Sequence, residues 1–420
     1  MKAILLLLDG LGDRPQQALG GRTPLEAAYT PNLDNLCSMA ETGMMIPWRQ
    51  GVPLGTEAAH FCLFGYDMGE FPGRGIINAL SRDIQVEENA VYLATSWASV
   101  QEEEGLFIQE RWTSQLTKEE VVELQDMLPP MIDGIYFCWQ YSVGPHGVLT
   151  LKGDNASEAI SDSDPFYDDG YVMEVEAFET EEKKAYITAQ AINTYLRKVY
   201  RQLKHHPVNK KRVQEGKKPA NFLLTKWAGK KPNLLSFQDK HGMKGAIVGA
   251  SRLMYGIAKL LGMEYIPYNS FQEGVRSALN SDFEFLHLHT KEPDEAAHTK
   301  NPFNKVKVLE EIDKQIAPLV EAVKKQEMLV IVTGDHTTPS SGGMIHSGEA
   351  IPIMFAGKNV RVDEVASFGE RSCTKGSIRM TGNDLMQMVL NYTDKALFYN
   401  FRPGGRRLNH IPKTIKKLKP

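Results

Sequence analysis

Three apolar runs along the chain are each followed by polar residues. They are residues 3–8 before Asp9, residues 328–333 before Gly334-Asp335-His336, and residues 283–289 before Asp294. Such short runs are typical of strands that are buried on both faces of a parallel sheet. The carboxyl ends of parallel strands meet at one edge, where open α/β sheets bind ligands. We therefore expect the polar residues after these runs to lie together.

Helical periodicity is present in the middle of the chain and towards its C-terminal half. Apolar residues recur every three or four positions at Ala185, Ala189, Ile192, Leu196, Val199 and Leu203, which predicts one buried helix face. The stretches 246–261 and 305–325 are also predicted to be helical. Strands and helices therefore alternate in the later part of the chain, as in an α/β protein.

The region 76–224 has a different character from the rest. Strand-like stretches at 90–100 and 147–152 lie between polar loops, and the helix described above follows them. We predict an inserted, smaller α+β domain over 76–224. The catalytic domain is then discontinuous and consists of residues 1–75 and 225–420.

Composition restricts the class of protein. The chain has 420 residues, 42% hydrophobic and 24% charged, with a net charge of −4, which fits a globular protein and gives no basic field for nucleic acid. No apolar run is long enough to span a membrane. The four cysteines are scattered, without a C-x-x-C pair. These features predict a cytoplasmic protein without a nucleic-acid or membrane partner, and they leave its oligomeric state open.

The candidate chemistry lies in five short motifs. They are Asp9 in D-G-L-G-D, Thr56 after Pro53-Leu54-Gly55, the pair Asp294 and His298, the run Asp335-His336, and His346 before Ser347-Gly348. Taken singly, these motifs have ordinary explanations. The D-x-x-x-H spacing of Asp294 and His298 often arises by chance, and His346 could simply hydrogen-bond the backbone of its loop. Thr56 could be an N-cap residue. Taken together, three aspartates and three histidines make a ligand set for two divalent ions, which can act as a pair in phosphoryl transfer.

Motifs along nearly the whole chain resemble one family in their order. They include Leu8-Asp9-Gly10-Leu11-Gly12-Asp13, Thr23-Pro24-Leu25-Glu26-Ala27-Ala28, Gly73-Arg74-Gly75, Ser161-Asp162-Ser163-Asp164-Pro165, Asp294-Glu295-Ala296-Ala297-His298 and Gly334-Asp335-His336. The sequence resembles the archaeal-type cofactor-independent phosphoglycerate mutases of the alkaline phosphatase superfamily. The resemblance implies a mostly parallel sheet flanked by helices, with an inserted α+β domain that closes over the substrate.

The resemblance also implies roles for single residues. One metal ion would be held by Asp9, Thr56, Asp335 and His336, and the other by Asp294, His298 and His346. Thr56 corresponds to the nucleophile and Lys240 to a phosphate-contacting lysine, while Arg74, Asp164 and Lys226 correspond to the substrate pocket. The ions are expected to be Mn²⁺, with Zn²⁺, Mg²⁺ or Co²⁺ as alternatives. The implied activity is a glycolytic one, the interconversion of 3-phosphoglycerate and 2-phosphoglycerate through a phosphothreonine.

The sequence departs from the family pattern around the substrate. The family has serine where this chain has Thr56, histidine where it has Phe166, and an R-G-A-G run at 226–229, which here reads Lys-Trp-Ala-Gly. An arginine-rich stretch is replaced by residues 101–112, which contain four glutamates but only Arg111. Two alternatives therefore stay open. One is a phosphohydrolase or phosphonate-cleaving enzyme that uses Thr56, and the other is a metal-binding protein without catalytic activity.

Overall fold

The computed structural model describes residues 1–166, 170–178, 183–396 and 417–419. The strands are β1 (Lys2–Leu8), β2 (Ala40–Ile46), β3 (Val91–Glu102), β4 (Leu106–Glu110), β5 (Met131–Ile132), β6 (Ile135–Val143), β7 (His146–Lys152), β8 (Phe222–Lys230), β9 (Gly245–Gly249), β10 (Glu264–Pro267), β11 (Phe285–Thr290), β12 (Met328–Thr333), β13 (Ile351–Ala356) and β14 (Ile378–Thr381). The helices are α1 (Pro24–Ala27), α2 (Pro31–Cys37), α3 (Thr56–Leu63), α4 (Arg74–Leu80), α5 (Lys118–Gln125), α6 (Lys183–Leu203), α7 (Pro207–Gln214), α8 (Phe237–His241), α9 (Arg252–Leu261), α10 (Phe271–Asn280), α11 (Glu292–His298), α12 (Pro302–Gln315), α13 (Ala317–Lys324), α14 (Glu370–Cys373) and α15 (Leu385–Tyr392).

The chain divides into two compact units. Unit 1 comprises Met1–Gly65 and Ser270–Pro420, and unit 2 comprises Tyr66–Asn269. All seven residues that were predicted as metal ligands belong to unit 1. The other four predicted site residues, Arg74, Asp164, Lys226 and Lys240, belong to unit 2. The domain boundaries drawn from the sequence, 1–75 and 225–420 around 76–224, stay a prediction.

Unit 1 is built on a mostly parallel run of strands. β1 lies between β11 and β12 and is parallel to both, and β13 then pairs antiparallel with β12 and with β2. All residues of β11 and β12 are buried, and so is β1 from Ala3 onwards, because both faces of these strands are apolar or covered. Helices α2, α10, α13 and α14 pack against the strands. The predicted fold class, an α/β sheet flanked by helices, is confirmed.

Unit 2 contains an antiparallel sheet around the long strand β3. β3 pairs with β4, β7 and β8, and the sheet continues from β7 through β6 to β5. Helix α6 packs on this sheet, and its predicted apolar face is buried, with Tyr195 stacked on Phe137 at a ring distance of 4.3 Å. The helix predicted in this region is therefore confirmed, as are its strand-like neighbours.

The prediction of one helix over 246–261 was wrong. The structure has a fully buried strand, β9, and then helix α9, which begins after Ser251 caps it through the N–H of Met254. The five residues of β9 include two β-branched side chains between glycines, a composition that favours a strand. The predicted helix over 305–325 is interrupted as well. It consists of α12 and α13, which meet at Ile316 because Pro318 has no N–H to continue α12.

Within the described part of the chain, no helix is both long enough and apolar enough to cross a membrane.

Candidate metal centre

The ends of three neighbouring strands build the centre. Asp9 follows β1, Asp335 and His336 follow β12 after Gly334, and β11 leads into the short helix α11 that carries Asp294. Because β11, β1 and β12 are parallel and adjacent, their carboxyl ends lie at one edge of the sheet. The expectation that these polar residues lie together is confirmed.

One imidazole nitrogen, Nε2 of His336, lies close to the side chains of Asp9, Thr56 and Asp335. His336 Nε2 lies 3.2 Å from Asp9 Oδ1, 3.3 Å from Asp335 Oδ2 and 3.3 Å from Thr56 Oγ1. All four residues are buried. Thr56 is the first residue of α3, with Gly55 at the N-cap position, so it does not cap the helix itself. Its side chain is therefore available to the centre.

A second group lies around Asp294. Asp294 Oδ1 is 3.2 Å from His298 Nε2, one helical turn later, and 3.5 Å from His346 Nε2. The ligand atoms of these three residues lie within 4.8 Å of one another, and so do those of Asp9, Asp294 and His336. Asp294 therefore belongs to both groups of residues, whereas the family resemblance assigned it to one ion only.

The donor set fits divalent metal ions. Asp9 Oδ1 and Asp335 Oδ2 are buried and accept no hydrogen bond from the described residues. A buried carboxylate oxygen without a donor is costly unless a cation lies next to it. Carboxylate and imidazole groups together suit manganese, zinc and related ions. The assignment of single residues to single ions stays a prediction.

The electrostatics of the cluster follow from burial and close packing. Burial acts to raise the pKa of Asp9, but the hydrogen bond from His289 and the neighbouring imidazole of His336 hold this pKa below its ordinary value. Burial and the charge of Asp9 raise the pKa of Asp335 well above its ordinary value. Two neighbouring carboxylates repel each other when both are ionised. Both can therefore carry a negative charge only if a positive charge lies beside them.

A layer of buried histidines, which was not predicted from the sequence, lies behind the predicted ligands. His60 donates from Nδ1 to the carbonyl of Thr56 at 2.7 Å, and its Nε2 faces His287 Nε2 at 3.0 Å. His289 Nε2 lies 3.0 Å from Asp9 Oδ2. Burial lowers the pKa of His60 to about 3, so this ring is neutral at physiological pH. The available signal was the H-x-H spacing in β11, which places His287 and His289 on one face of the strand.

Two further contacts orient the imidazoles of the predicted ligands His346 and His336. His346 Nδ1 lies 2.7 Å from the carbonyl of Leu54, and His336 Nδ1 lies 3.0 Å from the hydroxyl of Thr338. Such contacts fix the ring so that Nε2 faces the cluster. Thr338 also donates to Asp294 Oδ1 at 2.8 Å, which joins the two groups of ligands.

Gly10 is required where the chain turns after Asp9. Its φ is +63°, and a Cβ atom there would lie 2.5 Å from Thr338 Oγ1 and 2.9 Å from Asp294 Oδ1. We expect Gly10→Ala to lower the free energy of unfolding by more than the ~1–2 kcal/mol of backbone strain alone, and to weaken metal binding.

Gly20→Ala is the matched control for Gly10→Ala. Gly20 has a similar φ of +67°, but a Cβ there would have no atom within 4 Å. In urea denaturation, Gly20→Ala should lower the free energy of unfolding by the backbone strain alone. Its metal affinity, measured by calorimetric titration, should not change. Equal metal affinities for the two variants would contradict the proposed role of the turn.

In unit 2, the residues predicted to bind substrate form an ion network. Asp164 is buried between Lys226 Nζ at 3.0 Å and Arg111 Nε at 2.8 Å. Lys226 and Arg74 both lie over the ring of Trp227, at 4.6 and 4.7 Å. Lys240 lies over the ring of Tyr66 at 4.8 Å. The structure thus brings Arg74, Asp164 and Lys226 together, and the roles of these residues and of Lys240 stay predictions.

Fold and site together define an α/β metalloenzyme. Residues 1–392 match the family described as the Metalloenzyme superfamily, to which the chain belongs. The chain is 50% identical to the 2,3-bisphosphoglycerate-independent phosphoglycerate mutase 2 of Methanocaldococcus jannaschii, over 98% of both chains. It is 33% identical to the corresponding mutase of Thermococcus kodakarensis, over 94% of this chain and 98% of that relative. Within the superfamily, the chain therefore belongs to the 2,3-bisphosphoglycerate-independent phosphoglycerate mutases.

Solved structures agree with this family. A cofactor-independent phosphoglycerate mutase from Thermoplasma acidophilum matches with a TM-score of 0.64 and 30% identity, over 93% of this chain and all of that one. A protein from Pyrococcus horikoshii matches with a TM-score of 0.77 and 27% identity, over 95% of this chain and 99% of that one. The resemblance stated from the sequence motifs is confirmed.

Proposed function

We propose that the protein interconverts 3-phosphoglycerate and 2-phosphoglycerate through a phosphothreonine at Thr56. The observation that carries the proposal is the position of the Thr56 hydroxyl, 3.3 Å from His336 Nε2 and in the same buried cluster as Asp9 and Asp335. A hydroxyl held among metal-ligating groups is the arrangement that activates a nucleophile for phosphoryl transfer.

The chain's own residues position the reacting groups. Asp9, Thr56, Asp335 and His336 would hold one divalent ion, and Asp294, His298 and His346 the other. Bound ions would neutralise the phosphoryl oxygens and favour the ionised hydroxyl of Thr56. His60 fixes the first turn of α3 by donating to the carbonyl of Thr56. This holds the nucleophile in one orientation towards the phosphorus.

The proposed transfer has two balanced steps. The Thr56 oxygen forms a bond to phosphorus while the bond to one glycerate oxygen breaks, and that oxygen takes up the proton that Thr56 loses. The glycerate then reorients, and its neighbouring hydroxyl takes the phosphoryl group back. Thr56 regains a proton, so no water is consumed.

Metal removal and restoration tests this proposal. The protein should convert 3-phosphoglycerate in an enolase-coupled assay, lose that activity after treatment with EDTA, and recover it with Mn²⁺. Zn²⁺, Mg²⁺ and Co²⁺ should be compared in the same assay, because the donor set suits each of them. An absence of conversion with all four ions would reject the proposal.

A phosphohydrolase or phosphonate-cleaving activity is the second candidate. It is favoured by Trp227 and Phe166, which lie beside Lys226 and replace smaller or polar residues of the family pattern. This candidate predicts that inorganic phosphate is released from small phosphate esters or phosphonates. It would be rejected if no member of such a panel released phosphate faster than the metal ion alone.

We also propose that the protein acts in the cytoplasm, in glycolysis, on a small phosphorylated substrate. In support, all four cysteines are free thiols, as expected in a reducing compartment.

A further inference from the structure

In unit 1, Lys300 joins the end of α11 to the loop that leads to His346. It follows α11 in the chain, and its Nζ donates to the carbonyl of Pro339 at 2.8 Å and to the carbonyl of Met344 at 2.7 Å. One ammonium group therefore binds both ends of the segment 339–344. We call this segment the serine–glycine loop.

The serine–glycine loop is anchored at its start and open to solvent beyond it. The hydroxyl of Ser340 donates to the buried carboxylate of Asp13 at 2.5 Å. Residues 341–344 are exposed, and a Cβ atom at Gly342 or Gly343 would have no atom within 4 Å. Glycine gives this half of the loop wide conformational freedom. The bond from the ammonium group to the last residue of the loop restrains that freedom.

His346 follows the serine–glycine loop, and its backbone is held on both sides. On the C-terminal side, the N–H of Ser347 donates to the carbonyl of Thr337 at 2.9 Å. On the N-terminal side, the bond from Lys300 to Met344 lies two residues away. Loss of this bond would therefore release the backbone on one side of the imidazole.

The backbone that carries the ammonium group is well fixed. The N–H groups of Thr299 and Lys300 donate to the carbonyls of Ala296 and Ala297, which closes the last turn of α11. Asn304, at the start of α12, donates to the hydroxyl of Thr299 at 2.9 Å. Lys300 has a φ of +56°, in the left-handed region where glycine ends many helices. A lysine is strained there, and strained residues persist where the surrounding structure over-determines them.

The ammonium group also acts on the metal centre through its charge. Burial lowers the pKa of Lys300, and the charges of Asp13 and Asp294 act in the opposite direction. A cation beside Asp294 would be repelled by the ammonium group, so its charge alone weakens metal binding. If the side chain instead holds a ligand in place, its removal weakens metal binding. The direction of the change therefore separates the two roles.

We propose that Lys300 positions His346 as a ligand of the ion that Asp294 and His298 would also hold. The proposal rests on the proposed function and deepens it, because it concerns one of the two ions assigned there. Asp294 and His298 lie on α11, whereas His346 belongs to a separate segment. The contacts of the ammonium group join the two segments next to the ligands, and such contacts beyond the ligands themselves tune metal affinity.

Metal titration of Lys300 variants tests this assignment. Binding of Mn²⁺ to the metal-free protein is followed by calorimetry without substrate, and His346→Ala identifies the binding event that belongs to this ion. Lys300→Met should weaken that event about tenfold and leave the other event within about twofold. Lys300→Gly should weaken the same event by a similar factor. Its free energy of unfolding in urea should not fall, because glycine relieves the strained backbone.

Lys307→Met is the matched control. Lys307 is exposed on α12 of the same unit, and its replacement removes the same charge. Both binding events should stay within about twofold of those of the unmutated protein, because this charge is screened by solvent. Unchanged or tighter binding of the ion in either Lys300 variant would overturn the assignment. An equal weakening of both binding events would overturn it as well.

The titrations contain no substrate, so this inference and the proposed function can fail separately. If the Lys300 variants lose affinity as expected but the unmutated protein does not convert 3-phosphoglycerate, the proposed function fails and the role of Lys300 stands. If the protein converts 3-phosphoglycerate and the variants keep their affinity, the role of Lys300 fails and the proposed function stands. If His346→Ala changes neither binding event, His346 is not a ligand and the role of Lys300 is overturned.

Discussion

Replacing Thr56 with alanine is expected to lower the kcat for 3-phosphoglycerate by at least about a thousandfold. Loss of a nucleophile removes the covalent step, and what activity is left comes from binding alone. The side chain is buried, lies at the first position of α3 and is not needed to cap that helix. The fold should therefore survive, with a melting temperature close to that of the unmutated protein.

Two further variants make the Thr56→Ala result specific. Thr56→Ser keeps a hydroxyl without the extra methyl group and should keep most of the activity, since threonine and serine present the same nucleophile. Thr374→Ala is the matched control, because Thr374 is exposed and its hydroxyl donates to the carbonyl of Arg371, one turn earlier. The role of Thr56 would be rejected if Thr56→Ala retained a tenth or more of the activity in the enolase-coupled assay.

Replacing Lys305 with methionine is expected to lower the free energy of unfolding by about 3–5 kcal/mol. Lys305 is completely buried and pairs with the equally buried Asp13 at 3.1 Å. It also donates to the carbonyls of Gly12 and Thr338, and so joins the loop after Asp9 to the loop after His336. Loss of the lysine leaves a buried carboxylate without its cation, which is the costly way to break such a pair.

Denaturation in urea measures this effect. Lys314→Met is the matched control on the same helix, because Lys314 has a side chain that is 67% exposed and should change the free energy of unfolding by less than about 0.5 kcal/mol. The double variant with Asp13→Asn should lose less than the sum of the two single changes, since the two residues share one interaction. Additive losses would show that Lys305 and Asp13 act independently.

The arrangement of the strands was predictable because the sequence expresses it locally. Runs that are apolar on both faces form strands buried on both faces, and the polar residues that follow β1 and β12 then lie at one edge. The predicted ligands Asp9, Asp294, Asp335 and His336 could be found in the sequence for the same reason. The stretch 246–261 shows the limit, because short apolar segments fit a strand or a helix equally well until tertiary packing decides.

The contacts of the histidine layer behind the predicted ligands were not predictable from local patterns, although the H-x-H spacing in β11 placed His287 and His289 on one face. His60 and His287 are 227 positions apart and meet only in the folded sheet. The sequence around a histidine does not show which residue the imidazole will contact in the fold. That contact decides whether the imidazole is neutral, charged or bound to a metal ion. The backbone of Trp227 is a second example. Its φ is positive, its N–H donates to Asp162 and its ring lies under Arg74, and both of these residues are distant in sequence.

The most direct measurement is one reaction in water enriched in ¹⁸O. The Mn²⁺-loaded protein is incubated with 3-phosphoglycerate, and the organic phosphates and inorganic phosphate are analysed by mass spectrometry. Transfer through Thr56 predicts that 2-phosphoglycerate forms without ¹⁸O in its phosphoryl group and that no inorganic phosphate is released. Inorganic phosphate that carries ¹⁸O as the main product would contradict this account and show that the protein is a phosphohydrolase.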